Sequence, residues 1–336
     1  MPEPKFLVVR LGSLGDIVHA FPAVAALRET FPNGKIVWLT HPRWQELVAA
    51  AGIANEIWEV ETRSLSSVAE MRKKIRKEAF SAAIDYQGLW KSAALPFLAR
   101  VPRRIGFSSA SVREFGVPLL YTERVQTHNL HVADKNGDLS LQAGAAKSTG
   151  KFSLRTPAEA KESVRNMLLA NRVEQYVVLS PGGGWLSKCW PAEQYGELAL
   201  RLHREIKLRS VINYGPGEKH LVDRVLAAAG DSVPIPYSGT FGELMALLQN
   251  ARCVVAGDTG PLHLANALGT KVVAIFGPTD PERNGPYLGK EAGGRAIVLR
   301  ARNVESTYKR EGAPHPSLLR ISVENVLEAI RGARNL

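Results

Sequence analysis

The strongest constraint in this sequence is an alternation of short apolar runs with helical patterns, which continues through most of the 336 residues. The apolar runs predict buried strands, and the segments of helical period between them predict surface helices. Such an order is typical of parallel sheets covered by helices on both faces. The predicted strands are 6–9, 36–39, 57–60 and 82–86 in the first half, and 176–180, 210–213, 253–256 and 272–276 in the second. The predicted helices are 19–31, 44–51, 66–78, 89–100, 157–171, 191–206, 218–229, 241–250, 262–268 and 322–334.

Residues 125–156 interrupt this alternation and separate two similar halves. The helix predicted over 157–171 begins at Thr156 and Pro157, an N-cap residue followed by a proline that fits the first helical turn. We place the domain boundary near 165–173, which gives a first domain at 1–168 and a second at 169–320. Two Rossmann-like sheets predict a cleft between the domains, with ligands at the carboxyl ends of the strands.

The formal net charge of the chain is +11, and a basic surface favours an anionic partner. Aromatic residues make up only 7% of the sequence, which has no RNP or helix-turn-helix signature. We therefore expect a nucleotide or a phosphate-bearing membrane surface as the partner, and no nucleic acid.

Cysteine content and hydropathy bear on the cellular location. Cys189 and Cys253 give neither a disulfide framework nor a metal cluster, which indicates a reducing compartment. No stretch reaches the roughly 18 apolar residues that a membrane-spanning helix needs. The first residues, M-P-E-P-K-F-L-V-V-R, lack the apolar segment of a signal peptide. We therefore expect a cytoplasmic protein.

The first predicted strand is followed directly by R-L-G-S-L-G-D, residues 10–16. Glycines at such a position permit a tight turn and let backbone amides approach a ligand, so Ser13 and Gly15 are candidate substrate-binding residues. A dinucleotide-binding loop has the spacing G-x-G-x-x-G and an acidic residue at the end of the second strand. Here the spacing is G-x-x-G and the second strand ends in Thr40 and His41, which argues against a nicotinamide enzyme.

Asp16 has two interpretations that the residues alone leave open. It can be a helix N-cap, whose oxygen accepts hydrogen bonds from free amides. It can also be a general base, which requires a carboxylate within hydrogen-bond reach of a substrate hydroxyl. A helix N-terminus keeps such a carboxylate ionised at neutral pH, and its charge repels phosphate. The loop is therefore predicted to hold the attacking nucleophile rather than the nucleotide.

The segment S-P-G-G-G-W-L-S-K-C-W-P, residues 180–191, places a glycine loop and Lys188 between a strand and a helix. Exposed amides at Gly183 and Gly184 together with a lysine suit a diphosphate. The alternative is a surface turn with a solvated lysine.

The segment G-D-T-G-P-L-H, residues 257–263, also follows a strand. Thr259 and Gly260 at a helix N-terminus offer a hydroxyl and amides to phosphate oxygens. Asp258 can equally cap the turn, and the residues alone favour an ordinary helix histidine at His263. Glu218 opens a helix after another strand, where it can bond a ribose diol or stabilise the first helical turn.

The sequence has no H-E-x-x-H, C-x-x-C or D-x-D motif, so we expect no metal ion and no cofactor. The charge of a leaving diphosphate must then be neutralised by Lys188 and by backbone dipoles.

Four segments with matching order and spacing, between about residues 5 and 290, resemble the ADP-heptose:lipopolysaccharide heptosyltransferases of glycosyltransferase family 9. They are R-x-x-S-x-G-D near the N-terminus, A-I-D-Y-Q-G-L-W-K-S-A-A-L-P-F-L-A at 83–99, S-P-G-G-G-W-L-S-K-C-W-P, and G-D-T-G-P-L-H-L-A-N-A-L-G with the following F-G-P-T-D-P-E-R-N-G-P-Y. The second segment is most similar to the heptosyltransferases I, which add the first heptose to the inner-core Kdo.

The resemblance implies a GT-B fold, with the acceptor on the first Rossmann-like domain and the nucleotide sugar on the second. It also implies that a C-terminal helix at 321–336 packs back toward the first domain. The reaction implied is an inverting, metal-independent transfer of heptose from ADP-L-glycero-D-manno-heptose to Kdo–lipid A.

The resemblance also assigns residues by position. Asp16 is implied to be the base, Lys188 to hold the donor diphosphate and Glu218 to contact the ribose. Lys91 and Arg104 are candidates for the anionic groups of the acceptor. The remaining candidate substrate-binding residues are Ser13, Gly15, Gly183, Gly184, Ser187, Thr240, Asp258, Thr259, Gly260, Pro261 and His263.

The basic run at 71–77 is the candidate contact with lipid-A phosphates or with the anionic inner leaflet. This predicts a peripheral enzyme on the cytoplasmic face of the inner membrane; the alternative is a solvated helix face. Three other functions stay open: a related transferase that adds the second heptose or uses another nucleotide sugar, a nicotinamide-dependent oxidoreductase, and a non-catalytic two-domain binding protein.

Overall fold

The structure, a computed structural model, describes residues 3–146, 152–287 and 296–332. The chain divides into two units, Met1–Arg155 and Thr156–Leu336, each built around its own parallel sheet. In the described residues no helix combines the length and the apolar character that crossing a bilayer requires.

The first unit contains a six-stranded sheet and six α-helices in its described residues. The strands are β1 (Lys5–Val9), β2 (Lys35–Thr40), β3 (Glu56–Glu59), β4 (Ala82–Asp85), β5 (Arg103–Phe107) and β6 (Glu123–Val125). The helices are α1 (Leu14–Val18), α2 (Phe21–Thr30), α3 (Gln45–Ala51), α4 (Leu65–Glu78), α5 (Trp90–Leu98) and α6 (Val132–Gln142), with 3₁₀ helices at Pro42–Trp44 and Val117–Leu120.

The second unit repeats this arrangement with a second six-stranded sheet. Its strands are β7 (Tyr176–Ser180), β8 (Arg209–Asn213), β9 (Ile235–Tyr237), β10 (Cys253–Gly257), β11 (Val272–Phe276) and β12 (Ala296–Arg300). Its helices are α7 (Ala158–Ala170), α8 (Ala192–Ile206), α9 (Lys219–Ala228), α10 (Phe241–Gln249), α11 (Gly260–Ala267), α12 (Pro281–Asn284), α13 (Pro316–Leu319) and α14 (Val323–Gly332), with 3₁₀ helices at Leu186–Lys188 and Gly230–Ser232.

Both sheets are parallel throughout and share one topology, which confirms the predicted α/β class with two Rossmann-like units. The strand orders are β3-β2-β1-β4-β5-β6 and β12-β11-β10-β7-β8-β9. Central strands such as β7 and β11 are buried along their whole length, as expected for a sheet covered on both faces. In each sheet the chain order reverses beside the first strand, between β1 and β4 and between β7 and β10. Ligand sites of open α/β sheets lie at the carboxyl ends of such strand pairs.

The structure divides the chain earlier than the sequence predicts. The predicted boundary at 168–169 lies inside α7, but α7 packs against α10 and so belongs to the second unit. The C-terminal helix α14 packs on α8, where Val326, Leu327 and Ile330 enter the core of the second unit. Its predicted packing toward the first domain stays a prediction, and residues 333–336 lie outside the described residues.

Eight strands were predicted within one or two residues of their observed limits, and β5, β6, β9 and β12 were not predicted. β6 and β9 are three-residue strands at sheet edges, and β9 contains Pro236, which edge strands tolerate. Helix α6, inside the predicted interruption at 125–156, was also not predicted. Its N-cap is His131, whose ring nitrogen accepts from the amide of Ala133, and the helix packs against α2.

Candidate active site

The loop after β1 is held against the loop after β4, at the switch point of the first sheet. Arg10 is buried and donates a hydrogen bond from Nη1 to the carbonyl of Tyr86. The amide of Leu11 donates to Oε1 of Gln87 at 2.8 Å, and the carbonyl of Arg10 accepts from Nε1 of Trp38 at 3.2 Å. These bonds join β1, β2 and β4 and fix the loop that precedes α1.

Gly12 lets this loop pass close to the 3₁₀ helix after β2. Its φ of +151° favours glycine, and a Cβ there would lie 2.7 Å from Nε1 of Trp44. The next residue, Ser13, is the N-cap of α1, and Gly15 is buried in the first turn. The predicted tight glycine turn therefore positions a short helix rather than leaving an open loop.

Asp16 is the third residue of α1, so the N-cap interpretation applies to Ser13 instead. Its Oδ2 accepts from the amide of Ser13 at 3.2 Å and from the Ser13 hydroxyl at 2.9 Å. Its Oδ1 lies 2.8 Å from Nη2 of Arg10, and the Asp16 side chain is 44% exposed whereas that of Arg10 is 7% exposed. A buried cation thus orients a carboxylate that solvent and ligands can reach.

Opposing effects act on the pKa of Asp16. Burial of the surroundings raises this pKa, but the positive charge of Arg10, the hydrogen bonds from Ser13 and the nearby His19 outweigh it. The net effect is a pKa below the ordinary value of an aspartate, so the carboxylate is ionised at neutral pH. The group therefore meets the charge requirement of a general base.

Asp85, the last residue of β4, organises the neighbouring loop and was not predicted as a site residue. Its Oδ1 accepts from the amides of Gln87 at 2.9 Å and Gly88 at 3.3 Å. Its Oδ2 accepts from the hydroxyls of Ser92 at 2.9 Å and Tyr121 at 2.7 Å. Complete burial raises the pKa of Asp85, and these four bonds only partly offset that effect. An acid at the end of a strand, next to the switch point, is the sequence signal that could have found it.

In the second unit, the loop after β7 passes directly over Glu218. A Cβ on Gly182 would overlap the Glu218 carboxylate, whose Oε2 accepts from the amide of Gly215 at 2.7 Å. A Cβ on Gly183 would lie 2.7 Å from Sγ of Cys189. The structure therefore brings the predicted ribose contact and the predicted glycine loop together at the carboxyl end of this sheet.

Lys188 lies at the switch point between β7 and β10. Its Nζ is 3.5 Å from Oδ2 of Asp258, and both side chains are almost buried. Its carbonyl approaches Gly257 so closely that a Cβ there would lie 2.9 Å away. The Lys188 Nζ also lies over the ring of Trp185, 4.2 Å from its centroid. A Cβ on Gly184 would lie 3.9 Å from Cε of Lys188, so this glycine leaves room beside the lysine side chain.

Asp258 connects this lysine to His263. Its Oδ1 lies 3.3 Å from Nε2 of His263, which is buried on α11. Burial raises the pKa of Asp258, but the hydrogen bond from His263 and the charge of Lys188 outweigh it, so the pKa is well below its usual range. Asp258 therefore links His263 and Lys188 into one buried cluster of polar side chains, where turn and helix roles had been open for Asp258 and His263.

Thr259 is the N-cap of α11, which begins with Gly260 and Pro261. Thr259 is 7% exposed, and among the described residues its buried Oγ1 has no hydrogen-bond partner. A buried hydroxyl without a partner costs free energy, and a phosphate oxygen is a ligand that would satisfy it. The first amides of α11 point in the direction that favours an anion.

Arg310 was not predicted and lies on the same tryptophan as Lys188. Its guanidinium carbon is 5.1 Å from the centroid of the Trp185 ring. The segment around it is tied to Ser187, whose hydroxyl donates to the carbonyl of Lys309 at 3.0 Å and accepts from the amide of Glu311 at 3.5 Å. Ser187, predicted as a substrate contact, is buried and holds the segment of Arg310 in place. Local sequence patterns do not predict such a long-range contact.

Three further predicted residues take positions away from these groups. Thr240 is the N-cap of α10 and forms a capping box with Glu243, since each backbone amide donates to the side chain of the other. Lys91 is exposed in the first turn of α5.

Arg104 lies near the amino end of β5, paired with Ala83 of β4, and so not at the carboxyl edge of the sheet. It donates to the carbonyls of Leu120 at 2.8 Å and Val101 at 2.6 Å, which gives it a structural role. Within the described residues, no group of three His, Cys, Asp or Glu side chains could hold a metal ion.

Comparison with known proteins gives one consistent result. Residues 68–310 match the profile of "Glycosyltransferase family 9 (heptosyltransferase)". Lipopolysaccharide heptosyltransferase 1 of Escherichia coli K12 is 26% identical over 97% of this chain and 99% of its own. The structure of E. coli ADP-heptose lps heptosyltransferase II superposes with a TM-score of 0.80 at 20% identity, covering 98% of each chain. E. coli heptosyltransferase WaaC with ADP-2-deoxy-2-fluoro heptose gives a TM-score of 0.73 at 24% identity, covering 99% of this chain and 100% of that one.

Proposed function

This chain belongs to glycosyltransferase family 9, the heptosyltransferases, and we propose that it transfers heptose from an ADP-heptose donor to the Kdo of the lipopolysaccharide inner core. The observation that carries the proposal is the contrast between the two switch points. One presents an ionised, half-exposed carboxylate held by Arg10, and the other presents Lys188, Arg310 and a helix N-terminus around a glycine loop.

In the proposed reaction, Asp16 accepts the proton of the acceptor hydroxyl. The oxygen attacks the anomeric carbon of the donor, the bond from that carbon to the diphosphate breaks, and the sugar configuration inverts. Arg10 and Ser13 hold the carboxylate in one orientation, so little reorganisation accompanies proton transfer. A positioned base of this kind contributes about two to four powers of ten in rate.

The donor diphosphate is proposed to bind at the carboxyl ends of β7 and β10. Thr259 Oγ1 and the first amides of α11 are available to its oxygens, and Lys188 is near. The charge of Lys188 is balanced by Asp258, so a second cation is needed as negative charge develops on the leaving ADP. Arg310, on the same Trp185 ring, supplies it. We propose that Glu218, beside the glycine loop, accepts a hydrogen bond from a ribose hydroxyl.

Addition of the first heptose is the form of the reaction that the segment at 83–99 favours. That segment contains Asp85 and Gln87, which fix the loop that carries Arg10 and Leu11. Its similarity to the heptosyltransferases I thus falls on residues that position the proposed base. Lys91, exposed on the same segment, stays the candidate for an anionic group of the acceptor.

The decisive experiment mixes the protein with ADP-heptose and Kdo–lipid A and follows ADP release, with the product identified by its added heptose mass. UDP-sugars and GDP-sugars serve as donor controls, and an acceptor that already carries one heptose separates the first addition from the second. The proposal fails if ADP-heptose and Kdo–lipid A give no product. Hydride transfer to a nicotinamide would instead support the oxidoreductase alternative.

A further inference from the structure

One surface of the first unit carries all the exposed tryptophan and phenylalanine side chains of the described residues. Trp90 is 47% exposed, Phe97 42% and Phe115 99%. Leu98, on the same helix as Trp90 and Phe97, and Leu119, four residues after Phe115, are 45% and 70% exposed. We call these five residues the apolar face. A cluster of large apolar side chains in water marks an interaction surface rather than scattered exposure.

The segments that carry the five side chains pack together. Trp90, Phe97 and Leu98 are seven and eight residues apart on α5, a spacing that places them on one side of the helix. The indole Nε1 of Trp90 donates to the carbonyl of Phe115 at 3.2 Å. Leu119 follows in the 3₁₀ helix Val117–Leu120, which packs against α5. The apolar face therefore spans α5, Phe115 and this short helix, which pack against one another.

Cations border the apolar face. Arg72 of α4 donates from Nε to the carbonyl of Leu98 at 2.9 Å, which joins the basic helix to the end of α5. The guanidinium of Arg104 lies over the ring of Phe97 at 5.5 Å. Glu114 is an acid at this face, and its Oε2 accepts from the amide of Trp90 at 2.7 Å. The exposed cations of α4 are Arg72, Lys73, Lys74, Arg76 and Lys77.

We propose that the apolar face and α4 together form the docking surface of this protein on an anionic lipid bilayer. Aromatic and leucine side chains enter the headgroup boundary, while the cations of α4 meet the lipid phosphates. This combination fits a membrane better than a protein, because lysines are depleted at protein interfaces. The inference rests on the proposed function, since a lipid-linked acceptor gives the enzyme a membrane to dock on.

The first test measures co-sedimentation of the full chain with vesicles that contain phosphatidylglycerol, without donor or acceptor. The variant Phe115→Ser/Leu119→Ser is expected to bind at least tenfold more weakly, because two large apolar side chains no longer enter the bilayer. The matched control is Leu169→Ser/Leu319→Ser, two leucines of the second unit that are 61% and 64% exposed. Equal binding by both double variants overturns the proposal.

The second test addresses charge. Lys73→Gln and Lys77→Gln are each expected to weaken vesicle binding about fivefold, whereas Lys161→Gln on α7 has no effect. Equal binding to phosphatidylcholine vesicles overturns the assignment to an anionic bilayer, and a dimer that Phe115→Ser/Leu119→Ser dissociates overturns the assignment to lipid. Docking with no ADP release contradicts the proposed function alone, and ADP release from a soluble Kdo acceptor without docking contradicts this inference alone.

Discussion

The loops after β1 and β7 occupy equivalent positions in two sheets of the same strand order, yet their charges are arranged in opposite ways. After β1 the cation, Arg10, is buried and the carboxylate, Asp16, is reachable from solvent. After β7, Lys188 and its partner Asp258 are both nearly buried, and the further cation Arg310 is exposed. One loop thus offers a negative group to a ligand and the other offers positive groups.

We infer from this difference that the shared topology sets the position of each candidate site, whereas the side chains set which part of a ligand each site can bind. A carboxylate that is ion-paired with a buried arginine on one side and exposed on the other repels phosphate and can accept a proton. Backbone amides, a buried hydroxyl and cations attract a diphosphate. We therefore propose that proton transfer belongs to the first unit and leaving-group binding to the second, and substitutions can test the two roles separately.

The largest effect is expected for Asp16→Asn. The amide keeps the shape of the side chain but cannot accept the proton, so kcat should fall by about two to four powers of ten. The dissociation constant for ADP should stay unchanged, because the donor is assigned to the other unit. Steady-state ADP release and calorimetric titration with ADP measure the two quantities.

The matched control is Glu61→Gln, another carboxylate of the first unit, which is 2.8 Å from Nε2 of His41 and 48% exposed. It should leave kcat unaltered. A turnover rate for Asp16→Asn equal to that of the unmodified protein would remove the base from the mechanism.

Lys188→Gln is expected to have the converse effect. Loss of a charged donor beside the diphosphate should weaken ADP binding about ten- to a hundredfold. Lys219→Gln, which alters an exposed lysine paired with Asp223 at 3.1 Å, serves as the control. Unchanged ADP affinity in Lys188→Gln would assign the glycine loop a purely structural role.

Most of the fold could be predicted from the sequence because buried parallel strands are nearly continuous apolar runs. Local features of the sequence explain why β5, β6 and β9 were not predicted. β6 and β9 are only three residues long, and β5 begins with Arg103 and Arg104, which extend from the amino end of the sheet. Helix α6 contains Gly137 and several polar residues, and it is stabilised by packing on α2 rather than by its own propensity.

The candidate site was predictable where a residue lies in the loop or short helix that follows a strand, as Asp16, Lys188 and Asp258 do. Residues that act through distant partners were not. Arg10 bonds to Tyr86, which is 76 positions away in the loop that Asp85 organises. Ser187 bonds to Lys309, beside Arg310, which is 122 positions away. Such contacts form only in the folded chain, and hydrophobic periodicity does not predict them.

A smaller effect is expected for Arg10→Gln, and it should appear in the pH profile. The positive charge of Arg10 lowers the pKa of Asp16, and the base is lost as pH falls through that pKa. Without this charge the pKa rises, so the acid limb of kcat should move to higher pH while the alkaline plateau is retained. Arg10→Lys, which keeps the charge, should restore the position of the limb. A uniform loss of activity at every pH would instead indicate a merely structural role.

The smallest effect is expected for Arg310→Ala, which tests whether the second switch point needs a cation beyond Lys188. Arg310 is exposed, so water screens its charge, and its removal should weaken ADP binding only about fivefold. The dependence of ADP affinity on salt should also become shallower, because one positive charge is lost. The control is Arg302→Ala, which removes another exposed arginine from the segment between β12 and α13. If both variants bind ADP equally well, Arg310 does not contact the diphosphate. Lys188 would then be the cation of this switch point that binds ADP.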